Sequence, residues 1–201
     1  MLIGITGGIG TGKSTIAREL QSRGYAVYDT DEAAKRIIVH NPAVRSQVEV
    51  LFGSEIFDGD VYRTDMVARQ VFQNNDLLLR LNSIVHPAVG FDLKVWYKRQ
   101  MADSSASSEP RCFVESAILY SSGLRALCDR VVEVVAPDEV RIARTMVRDH
   151  TTREKVLARM AAQRPTTATT ANHQDNAADI ILNNDGMTPI ALLTDELLAQ
   201  L

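Results

Sequence analysis

The stretch GITGGIGTGKST, residues 4–15, constrains this chain more than any other part of it. An apolar run, LIGIT, leads into it, and a segment with helical spacing (Ile16, Ala17 and Leu20 on one face) leads out. Gly7 to Ser14 match G-x-x-x-x-G-K-[ST] in full, in the strand–loop–helix context that the pattern requires. Such glycines let successive backbone N–H groups turn inward on phosphate oxygens, and the N-terminus of the following helix adds about half a positive charge. Gly8, Gly10, Thr11 and Gly12 are expected to cradle the phosphates of a nucleoside triphosphate, with Lys13 on the β- and γ-phosphates. The Ser14 hydroxyl is expected on Mg²⁺, and Thr15 near the α-phosphate. A dinucleotide site is excluded, because no G-x-G-x-x-G occurs.

The rest of the chain reads as an α/β fold with a parallel sheet. After the first helix, which Gly24 ends, AVYD (26–29) is a second strand. RCFVE (111–115), RVVEVVA (130–136) and ADIIL (178–182) are three more. The expectation is five parallel strands with helices on both faces. Residues 31–101 read as helical throughout, with the long helix through Leu77, Leu81, Ile84 and Val85 broken or kinked at His86-Pro87. PDEV (137–140) opens another helix, and Thr188-Pro189 caps the last. Polar loops are expected at 102–110 and 166–176. The expected organisation is a core of about residues 1–30, 111–140 and 177–201, a helical insertion of about 31–101, and a lid of about 141–165.

Composition narrows the function classes. With 201 residues and a net charge of −3, one globular unit is expected, with no overall attraction to nucleic acid or an acidic membrane. An anionic ligand then needs a local positive site. Residues 141–164 supply one, with seven Lys and Arg against Asp149 and Glu154. They suit either a solvated face or a lid over phosphates, and Arg144 and Arg148 are its leading members. Cys112 and Cys128 carry no metal-ligand spacing and read as reduced core thiols. Phe91, Trp96 and Tyr97 read as core. MLIGITGG lacks the charged start of a signal peptide, and no apolar run is long enough to cross a bilayer, so a soluble cytoplasmic protein is expected.

No signalling-GTPase pattern occurs: no Asp stands three residues before a Gly, and no Asn-Lys pair is present. A small kinase remains. Such an enzyme wants a carboxylate beside its acceptor hydroxyl, and Asp29 and Asp31 stand where the second strand ends. Asp31 is the candidate base, although either residue equally suits a helix N-cap. Glu115, at the end of the third strand, is the candidate acid near Mg²⁺, or an ordinary strand-end acid.

Taken together the motifs resemble the dephospho-coenzyme A kinase family over nearly the whole chain. They are TGGIGTGKS, Asp29-Thr30-Asp31, Arg63, Val71-Phe72, Leu81, Ile84, His86-Pro87, Val89, Arg144, Arg148, RMAAQ (159–163) and Ala178-Asp179 through Asn183. The resemblance implies a P-loop NTPase fold and ATP-dependent phosphorylation of the ribose 3′-hydroxyl of dephospho-coenzyme A, with Mg²⁺. It implies that Asp31 is the base, that Arg63 and His86 bind the acceptor in the helical insertion, that Arg148 acts from the lid, and that Arg144 and Asn183 lie on the ATP side. Two departures stand out. Ala117-Ile118-Leu119-Tyr120-Ser121 replaces the family's proline- and glutamate-containing segment after strand three, and the lysine often found before Ala178-Asp179 is missing. A kinase for another small hydroxyl acceptor, and a nucleotide-binding protein without phosphoryl transfer, are the alternatives.

Overall fold

The computed structural model describes residues 1–103, 110–163 and 177–201. Its contacts divide the chain into two compact units, Met1–Val27 with Ala106–Leu201, and Tyr28–Ser105. The expected 166–176 loop, Arg164 and most of the 102–110 loop lie outside the described residues.

The first unit is built on a five-stranded sheet. β1 (Leu2–Thr6) is buried along its whole length, as a strand covered on both faces must be. α1 (Lys13–Ser22) follows the loop, and Gly24 turns the chain out of it at φ +87°. β2 (Ala26–Asp29) forms one edge of the sheet.

The second unit is mostly helical. α2 (Thr30–His40) and α3 (Pro42–Phe52) come first. A short hairpin then pairs β3 (Phe57–Asp58) with β4 (Val61–Tyr62) in antiparallel fashion, turning at Gly59 with φ +60°. α4 (Thr64–Gln73) and α5 (Asn75–Asp103) complete it. The hairpin corrects the all-helical expectation. Its signal was the Asp58-Gly59 pair, a turn dipeptide between aromatic and β-branched residues. Of the break or kink expected at His86-Pro87, the break is corrected, since α5 runs through Pro87 as one helix. Proline removes a backbone donor at a cost of about 3 kcal/mol. The offset comes from Val85, Val89 and Leu93, buried at four-residue spacing, and from the packing of α5 against α2, α3 and α4. Phe91 is not core: it is 71% exposed. Trp96 does pack, its ring 5.3 Å from that of Tyr28, and the Tyr28 hydroxyl donates to Asp92 at 2.7 Å.

The chain then returns to the sheet with β5 (Cys112–Glu115) and β6 (Arg130–Val135). α6 (Asp138–Asp149) and α7 (Arg153–Gln163) follow, then β7 (Ile180–Asn183) and α8 (Ile190–Gln200). Thr188 does not cap α8; Pro189 holds the N-cap position, and no side chain bonds there. The sheet order is β2-β5-β1-β6-β7, and β1 pairs in parallel with β5 on one side and β6 on the other. β1 is therefore central, and the C-terminal ends of β1 and β5 lie side by side. The core joins Ile3, Ile5, Phe113, Val132 and Leu182 of the sheet to Ile16, Leu20, Leu193 and Leu197 of α1 and α8.

Candidate active site

The loop between β1 and α1 depends on its glycines for its shape. Gly10 and Gly12 sit at φ +78° and +95°, where side-chain-bearing residues are strained. They also leave no room for a Cβ: at Gly10 it would meet the Thr145 hydroxyl at 2.7 Å, and at Gly12 the Asn184 amide. Thr11 folds back within the loop, its hydroxyl donating to the Gly8 carbonyl at 2.9 Å. Gly12 is the N-cap of α1 and offers no side chain to its first turn. The N–H groups there are the kind of donors that bind an anion.

Glu115 faces this helix start. Register places it, since Ile5 of β1 pairs with Glu115 of β5. It is only 5% exposed. The Ser14 hydroxyl donates to its Oε1 at 3.2 Å, and the Lys13 ammonium stands 3.6 Å from the same oxygen. A buried carboxylate held by a lysine and a hydroxyl is a costly arrangement without a task for its charge. It puts a cation, an alcohol oxygen and a carboxylate oxygen on one spot at the end of the sheet.

α6 holds the loop from another direction. Arg141 Nε donates to the Ile9 carbonyl at 3.0 Å. Arg144 donates through Nη1 to the Asn184 carbonyl at 3.2 Å and through Nη2 to Asn184 Oδ1 at 3.1 Å. Asn184 is 1% exposed and donates its amide to the Thr11 carbonyl at 2.9 Å. From the end of α7, Gln163 Oε1 accepts the Ile9 N–H at 2.7 Å. The Ile9 side chain packs on Ile142, Val156 and Met160. Arg141, Asn184 and Gln163 were not singled out as site residues from the sequence. Asn183, which was, is exposed on β7, and its neighbour Asn184 makes the loop contact. The Asn-Asn pair at 183–184 was the available signal, ambiguous by one position.

Arg148 is exposed and bonds to Asp149 at 2.7 Å. Its guanidinium, followed by that of Arg159, holds the Asp149 carboxyl below the usual range.

The remaining candidates lie in the helical unit. Asp29 is the N-cap of α2, its Oδ1 accepting the N–H groups of Asp31 and Glu32 at 2.9 and 3.0 Å. The capping role therefore falls to Asp29, and the exposed Asp31 carboxylate has no partner among the described residues. Arg63 precedes α4 and donates to Asp58 at 2.8 Å. His86 is half-buried in α5, and loss of solvation pushes its pKa down. Burial pushes the thiols up, Cys128 to about 12, and both cysteines are buried and free.

A sequence profile described as Dephospho-CoA kinase matches residues 1–189. The chain belongs to the dephospho-CoA kinase family. A dephospho-CoA kinase of Porphyromonas gingivalis is 42% identical over 161 residues, covering 80% of this chain and 76% of the relative. That of Chlorobium chlorochromatii is 36% identical over 199 residues, covering 96% and 88%. The crystal structure of TT1252 from Thermus thermophilus superposes with a TM-score of 0.76 at 32% identity, covering 100% of this chain and 97% of that one. A shikimate kinase from Acinetobacter baumannii, at 13% identity and a TM-score of 0.52 over 98% and 90% of the two chains, shares the fold alone. This dephospho-CoA kinase family member is thus a P-loop kinase with an alcohol acceptor, and among its described residues no helix is long and apolar enough to cross a membrane.

Proposed function

We propose that this chain transfers the γ-phosphoryl group of ATP to the ribose 3′-hydroxyl of dephospho-coenzyme A, giving coenzyme A and ADP. The observation that carries this reading is the convergence of Lys13, Ser14 and buried Glu115 at the phosphate loop of a chain in this family.

The N–H groups that the loop and the first turn of α1 leave unused, with Lys13 and the hydroxyl of Thr15, bind the phosphates, and Thr11, its hydroxyl on the Gly8 carbonyl, holds the loop in the shape that does so. Ser14 Oγ and Glu115 Oε1, 3.2 Å apart, are hard oxygen donors and fit Mg²⁺. No group of three or more His, Cys, Asp or Glu is placed to hold a metal among the described residues. That suits an ion which keeps water and phosphate oxygens as most of its ligands. Bound there, Mg²⁺ would neutralise charge on the phosphates. Asp31 orients the 3′-hydroxyl and takes its proton as the new O–P bond forms and the bond from the γ-phosphorus to the ADP oxygen breaks. Arg148, in an α6–α7 segment acting as a lid, stabilises the charge on the transferring group. Arg144 and Asn184 keep the loop in shape, which gives Arg144 an ATP-side role through the backbone. Arg63 and His86 contribute to binding the acceptor. Two free buried thiols fit a reducing compartment such as the cytoplasm.

The test is ADP release with Mg-ATP and dephospho-coenzyme A, adenosine or AMP as acceptor. Stimulation by dephospho-coenzyme A alone supports the assignment. Turnover with another acceptor instead would keep the phosphate chemistry and remove this substrate. Nucleotide binding without acceptor-dependent release would remove the transfer.

A further inference from the structure

One carboxylate in the first unit is shared by two arginines. Asp149, the last residue of α6, accepts Arg148 Nε on Oδ1 at 2.7 Å and Arg148 Nη2 on Oδ2 at 3.2 Å. Arg159 of α7 donates Nη1 to the same Oδ2 at 2.7 Å. Two guanidiniums on one carboxylate leave one net positive charge. Each guanidinium also keeps N–H donors that Asp149 does not use, since arginine carries five.

The placement of the pair is what gives that charge a task. Arg148 lies four residues beyond Arg144, whose guanidinium bonds to the Asn184 that holds the loop. Arg159 lies four residues before Gln163, which accepts the Ile9 N–H of the loop. Four helical residues rise about 6 Å. Each arginine of the pair is therefore about one turn from a side chain anchored to the phosphate loop or to its holder. Exposed pairs of this kind contribute little to stability, so a purely structural role leaves the arrangement with small effect.

We infer that Arg159 is a second arginine for the γ-phosphate of ATP, and that Asp149 is the positioning residue that holds Arg148 and Arg159 side by side for it. This rests on the ATP half of the proposed function and not on the identity of the acceptor. The free donors of the two guanidiniums reach phosphate oxygens as charge-assisted hydrogen bonds, while Asp149 fixes their spacing and limits their mutual repulsion.

The test uses the full chain and Mg²⁺, with calorimetric titration of ADP and of the β,γ-imido analogue of ATP, and steady-state kinetics beside it. A charge-assisted hydrogen bond lost to the γ-phosphate weakens binding about tenfold or more. Arg159→Gln is expected to weaken the analogue by that factor and to leave ADP within about twofold, because ADP lacks the group the arginine contacts. Arg159→Lys, which keeps the charge but not the fork, is expected to fall between, and it keeps the test open if the glutamine variant folds poorly. Asp149→Asn is expected to lower kcat more than it raises KM for ATP, and to shrink the effect of a further Arg148→Ala change. Equal weakening of ADP and analogue would make Arg159 a structural tie between α6 and α7 and overturn the inference. So would unchanged affinity for both. A parent chain that binds neither nucleotide overturns the ATP reading itself, and the inference with it, a result separable from the other two.

Discussion

Asp31 and Glu115 are both carboxylates, but their surroundings differ in kind. Asp31 is exposed on the first turn of α2, and Asp29 relieves it of capping. Glu115 is buried against Lys13 and Ser14. The two substitutions should therefore separate kinetically. Asp31→Asn is expected to lower kcat by about 10²–10⁴-fold and leave KM for ATP within about twofold, as loss of a positioned base should. Near-normal turnover would take Asp31 out of the mechanism. Glu115→Gln is expected to raise the Mg²⁺ concentration for half-maximal rate by about tenfold or more, the usual scale for losing a group that supports a metal. An unchanged Mg²⁺ dependence would make Glu115 a structural partner of Lys13. At this scale the sequence was legible where a motif pins one position, as from Gly7 to Ser14. It was less so where adjacent residues compete. Asp29 and Asp31 were distinguishable only by which oxygen caps α2, and Asn183 and Asn184 only by which one turns inward.

Among the elements, α6 is the one whose identity changes most between sequence and structure. Its arginines read as either a solvated face or a lid, and Arg141 and Arg144 are bound to the loop and to Asn184. Periodicity shows that these residues share a helix face, and only the fold shows what that face meets. The strands were legible to within one or two residues, because buried parallel strands are short continuous apolar runs. The β3–β4 hairpin was missed because two-residue strands carry almost no periodic signal. A break of α5 stayed open beside a kink because a local proline penalty was weighed without the packing that offsets it. Asn184→Ala tests the link from β7 to the loop. It leaves the Thr11 carbonyl without its Asn184 donor, at about 1–3 kcal/mol. For a chain of this size that is about 2–4 °C of Tm per kcal/mol, with a rise in KM for ATP. A fall in Tm with unchanged KM would show that the loop keeps its shape without Asn184.

Across the whole molecule, a sheet with β1 at its centre brings the phosphate loop and Glu115 together from positions about a hundred residues apart in sequence. The parallel α/β class was readable from the order of the elements, whereas the strand order was not, since apolar runs carry no record of their neighbours. The helical unit has its own pH signature in His86. Burial lowers its folded pKa, so the unfolded chain takes up the proton first as pH falls. Its contribution to stability is full above the unfolded value of about 6.5 and is lost as pH falls through the folded pKa. His86→Gln is expected to flatten that part of the stability curve, measured by denaturant unfolding from neutral to mildly acidic pH. An unaltered slope would assign the dependence to other groups.

Transfer to one hydroxyl of one acceptor is decided by the identity of the product. Dephospho-coenzyme A and Mg-ATP are incubated with the chain, and the product is examined by mass spectrometry and ³¹P NMR. A new phosphomonoester on the ribose 3′-oxygen, indistinguishable from coenzyme A and formed in step with ADP, is expected. Dephospho-coenzyme A recovered unchanged while ATP is consumed, or a phosphate on any other oxygen, would contradict that transfer.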